Sequence, residues 1–250
     1  MTKFTTDEEF SFRQPLAAEL TKLLALRATW IISMATLVLS ACIVLLSYSG
    51  ISMTADERGL SAESIRALML VPAYLFIGVA VVTSASEYRN GQIRISYIAV
   101  PKRVILYSAK LCGLLIVVAP LAMLLSAIGL LAKGTPPAES GSADLVHAAV
   151  ASLLVLTLLS LVGFGLAIIT RSAVVSLVTL WALAALVAPT LRASMPSVIH
   201  LLPHDLALQV LVIPAGVPND TPQSAAILLL SAWAIVCLIV AGVLFARRDS

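Results

Sequence analysis

The chain has 250 residues, of which 60% are hydrophobic and 12% are charged, and its mean hydropathy is +1.03. Ordinary soluble domains are about half apolar and about one quarter charged, so this composition excludes that class and indicates a protein of the lipid bilayer. The formal net charge of +3 is too small for a nucleic-acid-binding protein, which needs a basic patch on a foldable polar surface.

Residues 1–27 begin as a polar segment and end in a predicted amphipathic helix. Leucines recur at helical spacing on one face while charged residues occupy the other, namely Leu16, Leu20, Leu23 and Leu24 against Glu19, Lys22 and Arg27. This pattern predicts an interfacial helix that lies in the headgroup layer before Trp30 turns the chain into the bilayer. The alternative is that the segment simply extends the first membrane span.

Six long windows that lack charged residues follow along the chain. Each holds at least the roughly 20 residues that a helix needs to cross a bilayer, and none shows the in-out alternation of a membrane strand. The sequence therefore predicts an all-α membrane protein whose transmembrane domain occupies residues 28–246. The predicted spans are 28–49, 67–86, 105–132, 145–170, 172–191 and 222–246.

The basic residues predict the orientation of these spans. An even number of spans places both termini on one side, and twelve of the sixteen Lys and Arg residues lie on that side. Because basic residues are concentrated on the cytoplasmic side of membrane proteins, we expect both termini to be cytoplasmic.

Two connections are longer than simple turns. Residues 87–104 form the one sizeable cytoplasmic loop, and we expect a short helix at about 92–99 that Pro101 ends. Residues 192–221 form an outer segment with four prolines, in which 205–213 are apolar and Asp205 is a potential N-cap. That run is too short to span, so it predicts a surface or re-entrant helix.

The polar residues do not form a catalytic pattern. The spans lack the convergent acids, bases and nucleophiles of a membrane enzyme, and the chain has no phosphate-binding GxxxxGK[ST] loop. The three cysteines lie in apolar runs without metal-ligand spacing. His200 and His204 with Asp205 are a conceivable metal set, although histidines in loops are more often solvated or structural. We therefore expect no catalytic residue, metal or cofactor on this chain.

The same absence of buried carboxylates argues against transport driven by protons or sodium ions. A bundle without its own energy source would need a separate motor protein, and the basic loop at 87–104 is the natural surface for docking it.

Two sequence features resemble those of the ABC type-2 transporter permease family of bacterial exporters. One is the N-terminal segment ELTKLLALRATW, and the other is ASEYRNGQIRISYIAVPKRVILYSAK after the second span. The resemblance implies a second permease chain, identical or different, and two ATP-binding-cassette subunits that hold ATP and Mg²⁺. It also implies that the 87–104 loop contains a coupling helix and that the exported substrate is hydrophobic or amphipathic.

The resemblance also assigns candidate residues. Coupling to the ATPase is expected at six positions: Glu87, Tyr88, Arg89, Gly91, Arg94 and Arg103. Apart from the resemblance, the mid-span position of Trp181 and Trp233, away from the usual interface belt, indicates a possible substrate path. Alternatives remain for both sets, since a boundary carboxylate can simply end a span in water, basic residues there also bind anionic lipid, and tryptophans more often pack in a core.

Two other functions remain open on the sequence. One is a structural, immunity or sensory membrane subunit that transports nothing, and the other is a channel that works without ATP.

Overall fold

In the computed structural model, the described residues are 12–48, 62–89, 91–100, 102–132, 142–211 and 222–247, and every regular element in these ranges is a helix. The helices are α1 Arg13–Ala25, α2 Arg27–Tyr48, α3 Ala62–Arg89, α4 Gln92–Ala99, α5 Arg103–Ala132, α6 Ser142–Thr170, α7 Ala173–Ala182, a π-helical turn Leu183–Val187, α8 Ala188–Ser194, α9 Pro196–Ile199, α10 Pro203–Leu211 and α11 Gln223–Arg247.

Six helical segments in the described ranges are long and apolar enough to cross a membrane. They are Arg27–Leu45, Val71–Arg89, Arg103–Leu130, Leu145–Thr170, Ala173–Leu191 and Gln223–Arg247. This confirms the predicted all-helical class with six helices of spanning length, and it supports a multi-pass membrane protein. Residues 49–61 and 133–141, in the connections predicted to lie on the outer side, fall outside the described residues.

Helix α6 occupies the centre of the bundle, where it packs against α3, α5 and α11. Two glycines permit this close approach. A Cβ atom on Gly163 would lie 2.5 Å from Ile77 Cγ2, and one on Gly165 would lie 2.9 Å from Cys237 Cβ. Small residues therefore admit neighbouring helices of the same chain, and Ala167, one turn after Gly163, is also fully buried.

Helices α1 and α2 are separate, so the first helix is not an extension of the first span. Leu26 has an extended backbone between them, and the Trp30 indole Nε1 donates to the Leu24 carbonyl at 2.8 Å across the bend. Helix α1 crosses α5 at Gly113, where an added Cβ would lie 3.5 Å from Glu19 Cβ. Glu19 is buried together with Leu23, which corrects the expectation that Glu19 lies on a solvent-facing side.

The fifth spanning segment contains a break in its α-helical hydrogen bonding. The π-helical turn Leu183–Val187 ends two residues before Pro189. Proline has no N–H group, and its ring clashes with the carbonyl four residues earlier, so the wider turn accommodates a proline that a regular helix would not. We attribute the irregularity in this span to Pro189.

The segment after the fifth span folds back onto the bundle. Helix α10 begins at Pro203, two residues before the predicted start, so Asp205 lies in the first helical turn and is not an N-cap. Leu206 and Ala207 are fully buried, and α10 packs against α11 and α6. The remainder of the predicted outer segment, residues 212–221, lies outside the described residues.

Candidate functional site

The end of the bundle that carries α1, α4 and the last turn of α11 is called the terminal face below. Four charged side chains converge there although they are distant in sequence. Glu19 and Lys22 lie on α1, Glu87 lies in the last turn of α3, and Lys110 lies two turns inside α5. Helix α3 ends and α5 begins at this face, and α1 crosses α5 near Gly113, so each helix brings one polar turn to the same place.

These four side chains form a closed ring of ion pairs, called the ion-pair ring below. Lys22 Nζ lies 2.8 Å from Glu19 Oε1 and 3.2 Å from Glu87 Oε1. Lys110 Nζ lies 2.9 Å from Glu19 Oε2 and 2.6 Å from Glu87 Oε2. Each lysine therefore contacts both carboxylates, and the ring carries no net charge.

Burial makes this ring energetically important. Glu19, Glu87 and Lys110 expose only 4%, 7% and 9% of their surface, whereas the Lys22 side chain exposes 46%. A charge removed from water is costly unless partners compensate it, and removing one partner leaves an uncompensated buried charge. The ring thus holds α1, α3 and α5 together only while all of its buried members are present.

Lys22 also links the ring to α4, because its Nζ donates to Ser96 Oγ at 3.0 Å. Burial by itself lowers the pKa of Lys22, but the hydrogen bond with Glu19 and the charge of Glu87 outweigh that effect. The pKa of Lys22 is therefore raised above its ordinary 10.5, and the side chain is a cation at neutral pH.

Helix α4 confirms the short helix expected at about 92–99, and it has two unlike faces. Gly91 precedes it with a φ of 67°, a left-handed conformation that favours glycine and lets the chain turn after α3. Ile93 and Ser96 are buried against the bundle, whereas Ile95 and Ile98 expose 70% and 84% of their surface. The helix therefore presents an apolar pair away from the rest of the chain. Pro101 falls outside the described residues.

The predicted coupling residues fall into separate groups in the structure. Glu87 belongs to the ion-pair ring, and Arg89 and Arg94 are exposed at the surface. Arg103 lies over the Tyr97 ring at 5.0 Å and donates to the Ala246 carbonyl at 3.0 Å. Arg103 thus joins α4 and α5 to the last turn of α11.

Tyr88 packs with a different part of the chain. The Arg171 guanidinium lies 5.7 Å from the centre of the Tyr88 ring. Arg171 stands in the connection between α6 and α7, where its φ is 56°. Arg171 also acts on Tyr97 of α4. Burial raises the pKa of the Tyr97 hydroxyl above 10.0, and the positive charges of Arg171 and Arg103 oppose this shift.

Trp181 and Trp233 lie near the middle of their spans, away from the terminal face, and each has its own partner. Trp181 packs on the Tyr74 ring with 5.3 Å between centroids, and Trp233 Nε1 donates to the Leu201 carbonyl at 2.8 Å. Both side chains are 41% exposed, and in the described part of the chain no ring contact joins them.

A second polar cluster lies near these tryptophans, and it includes His200, His204 and Asp205, the conceivable metal set of the sequence analysis, together with Tyr74 and Gln209. The Tyr74 hydroxyl lies 2.9 Å from His204 Nδ1. Asp205 Oδ2 lies 3.2 Å from His200 Nδ1 and accepts from Gln209 Nε2 at 2.8 Å. Tyr74 precedes Glu87 by 13 residues, or about 20 Å along α3. Helix α10 therefore places polar groups at the level of Tyr74, inside the bundle and about 20 Å from the Glu87 end of α3. No set of three His, Cys, Asp or Glu side chains among the described residues is arranged to hold a metal ion.

A cavity of about 240 Å³ opens beside the ion-pair ring, between the α1–α2 bend and the ends of α3 and α4. Its polar wall includes Glu19, Lys22, Thr83, Ser86 and Glu87, and Gln92 stands at its exposed rim. Leu23, Ala25 and Leu26 form an apolar wall.

Sequence reasoning identified Glu87 but missed the other members of the ring. A signal was present, since Lys110 lies several residues inside a helix that is otherwise apolar and a lysine there requires an acidic partner. The choice of partner depends on how α1 crosses α5, which residue types alone do not determine.

Comparison with protein-family models gives no match for this chain, and comparison with curated protein sequences gives none.

Proposed function

We propose that the chain is the membrane-spanning permease subunit of an ATP-binding-cassette exporter in a bacterial plasma membrane, with both termini in the cytoplasm. The observation that carries this proposal is the arrangement of α4. Its exposed Ile95 and Ile98 form an apolar docking surface for a motor protein. Ser96, on the buried side of the same helix, accepts a hydrogen bond from Lys22 of the ion-pair ring.

The ion-pair ring supplies a rigid connection from this docking surface on α4 to the membrane spans. A force applied to α4 is transmitted through Ser96 and Lys22 to Glu87 on α3, and through both carboxylates to Lys110 on α5. Because the buried charges require all of their partners, the three helices move together with α4. This explains how ATP binding in a separate subunit would rearrange the bundle.

The proposed assembly contains two ATPase subunits, which hold ATP and Mg²⁺, and a second permease chain. Large apolar side chains on α2, α7 and α11 are exposed, including Ile31, Val174 and Ile239. These faces would contact lipid and the second chain. The exported substrate would be hydrophobic or amphipathic and would pass between the two bundles near Trp181 and Trp233.

The experiment uses tagged chain purified in mild detergent from membranes of its native host. We expect an ATP-binding-cassette subunit to co-purify and the complex to hydrolyse ATP. Ile98→Asp should reduce that hydrolysis at least tenfold, because a buried charge in an apolar contact costs several kcal/mol. Ile98→Leu, which preserves an apolar side chain of the same volume, should retain most of it.

Three outcomes contradict the proposal. A chain that purifies intact without an ATPase subunit would be a structural, immunity or sensory subunit. Currents in planar bilayers without nucleotide would identify a channel. Labelling of Lys102→Cys by an impermeant reagent from outside intact cells would place α4 on the wrong side of the membrane.

A further inference from the structure

The cavity beside the ion-pair ring has an uneven supply of hydrogen-bonding groups. An ammonium group has three N–H donors, and Lys22 directs all three at partners within the protein: Glu19, Glu87 and Ser96. The lysine that lines the cavity therefore has no donor left for a ligand.

The hydroxyls in the polar wall are also committed as donors. Thr83 Oγ1 donates to the Val79 carbonyl at 2.7 Å, and Ser86 Oγ donates to the Thr83 carbonyl at 2.8 Å. A hydroxyl oxygen keeps acceptor lone pairs after donating its proton. Both oxygens therefore remain able to accept a hydrogen bond from a group inside the cavity.

The carboxylates add further acceptor capacity. Glu87 lines the cavity, and its Oε1 accepts a hydrogen bond from Lys22 at 3.2 Å, while its Oε2 is paired with Lys110 at 2.6 Å. An ionised carboxylate has about four acceptor sites, and the two lysines fill only part of that number. Except for the amide of Gln92 at the rim, this wall accepts hydrogen bonds and offers none.

We infer that this cavity binds the ammonium group of an amphipathic primary amine. The ammonium would donate to Thr83, Ser86 and the spare lone pairs of Glu87, while Leu23 and Leu26 would contact the adjoining alkyl chain. Both carboxylates of the ring line the cavity beside Lys22, and the ring carries no net charge. A cavity of about 240 Å³ is large enough for a small polar group with part of its chain.

Two sources could supply this chemistry: the headgroup of an aminophospholipid in the surrounding bilayer, or a free alkylamine. The inference does not depend on the chain being a permease subunit, because the cavity lies wholly within this chain. Binding of an amine and docking of an ATPase can therefore succeed or fail separately.

The first experiment compares probes that carry the same charge but differ in N–H donors. The apparent Kd of the purified chain is measured from the shift of its thermal unfolding midpoint with dodecylamine and with dodecyltrimethylammonium. We expect dodecylamine to bind at least tenfold more tightly, because hydrogen bonds from a charged donor account for roughly that factor. Equal affinities would overturn the inference.

The second experiment identifies the source of the amine. The chain is placed in nanodiscs of equal phosphatidylethanolamine and phosphatidylcholine, and the lipid that it retains is measured by native mass spectrometry. Preferential retention of phosphatidylethanolamine supports the inference with a bilayer lipid as ligand. Dodecylamine binding without that preference supports the inference with a free amine as ligand. If the chain shows neither the lipid preference nor dodecylamine binding, the cavity holds only water and the inference is overturned.

Matched variants test the location. Thr83→Val with Ser86→Ala should weaken dodecylamine binding at least tenfold. The control is Thr157→Val with Ser160→Ala on α6, which removes two hydroxyls at the same spacing that bond only to their own helix. Equal loss in both pairs, or no loss in either, would show that the amine binds elsewhere. Leu26→Trp, which fills the cavity without removing a polar group, should also abolish binding.

Discussion

Replacing Lys110 by methionine tests whether the ion-pair ring holds the terminal face together. Methionine has a similar shape but no charge, so Glu19 and Glu87 would share Lys22 alone and the ring would carry a net negative charge. Lys110 is 9% exposed and contacts both carboxylates within 3 Å. Loss of one partner from a buried ion pair costs about 3–5 kcal/mol.

The assay is the thermal unfolding midpoint of the purified protein in mild detergent. For a chain of this length about 1 kcal/mol corresponds to about 2–4 °C, so Lys110→Met should lower the midpoint by about 6–20 °C. Lys102→Met is the matched control, because Lys102 is exposed and exposed charges contribute about 0–1 kcal/mol. Adding Glu87→Gln to Lys110→Met restores a neutral ring and should recover part of the loss.

Two results would refute this reasoning. If Lys110→Met and Lys102→Met lower the midpoint equally, the ring does not contribute more than a surface charge. If the double variant Lys110→Met with Glu87→Gln is less stable than Lys110→Met by the full cost of a second deletion, the two residues act independently.

The remaining predictions concern other contacts. Gly163→Ala should cost about 1–3 kcal/mol by overpacking against Ile77, whereas Gly129→Ala, which meets no atom within 4 Å, should cost nothing; equal midpoints would refute the close packing of α6 on α3. Because the pKa of Lys22 is raised above 10.5, its stabilisation should be complete below pH 10.5 and be lost as the pH rises through the raised value. The protection factor of α1, which is its amide exchange rate relative to that of an unfolded chain at the same pH, should fall only there, and a fall below pH 10 would contradict the assignment. Arg103→Gln should speed amide exchange in the last turn of α11, which loses a hydrogen bond at Ala246, and the exposed Arg89→Gln should not; no difference between the two variants would refute this role.

The short helix α4 shows how far local sequence information reached. Its bounds were predictable because Gly91 allows a turn before it and Pro101 cannot continue a helix. Its two faces were not predictable, since Ile93 and Ile95 have the same side chain but opposite burial. Burial depends on which helices pack against α4, and an isoleucine carries no information about that.

The segment after the fifth span shows the same division between local sequence and tertiary structure. Its prolines and apolar residues predicted a helix too short to span the bilayer, and α10 is such a helix. The residue at which α10 starts and the helices that it contacts could be known only from the structure, because Asp205 could equally cap a helix or lie in its first turn. Contact between His204 and Tyr74 joins residues 130 positions apart, and no local pattern encodes such a distance.

The sequence by itself determined that this is a helical chain with six segments of membrane-spanning length. Each charged residue placed in hydrocarbon is costly, so the spans are visible as long windows without charged residues. Only the tertiary structure decided how the buried charges of the ion-pair ring are paired. Glu19, Lys22, Glu87 and Lys110 neutralise one another because three helices cross at one end of the bundle, and electrostatic pairing depends on distance in space rather than on separation along the chain.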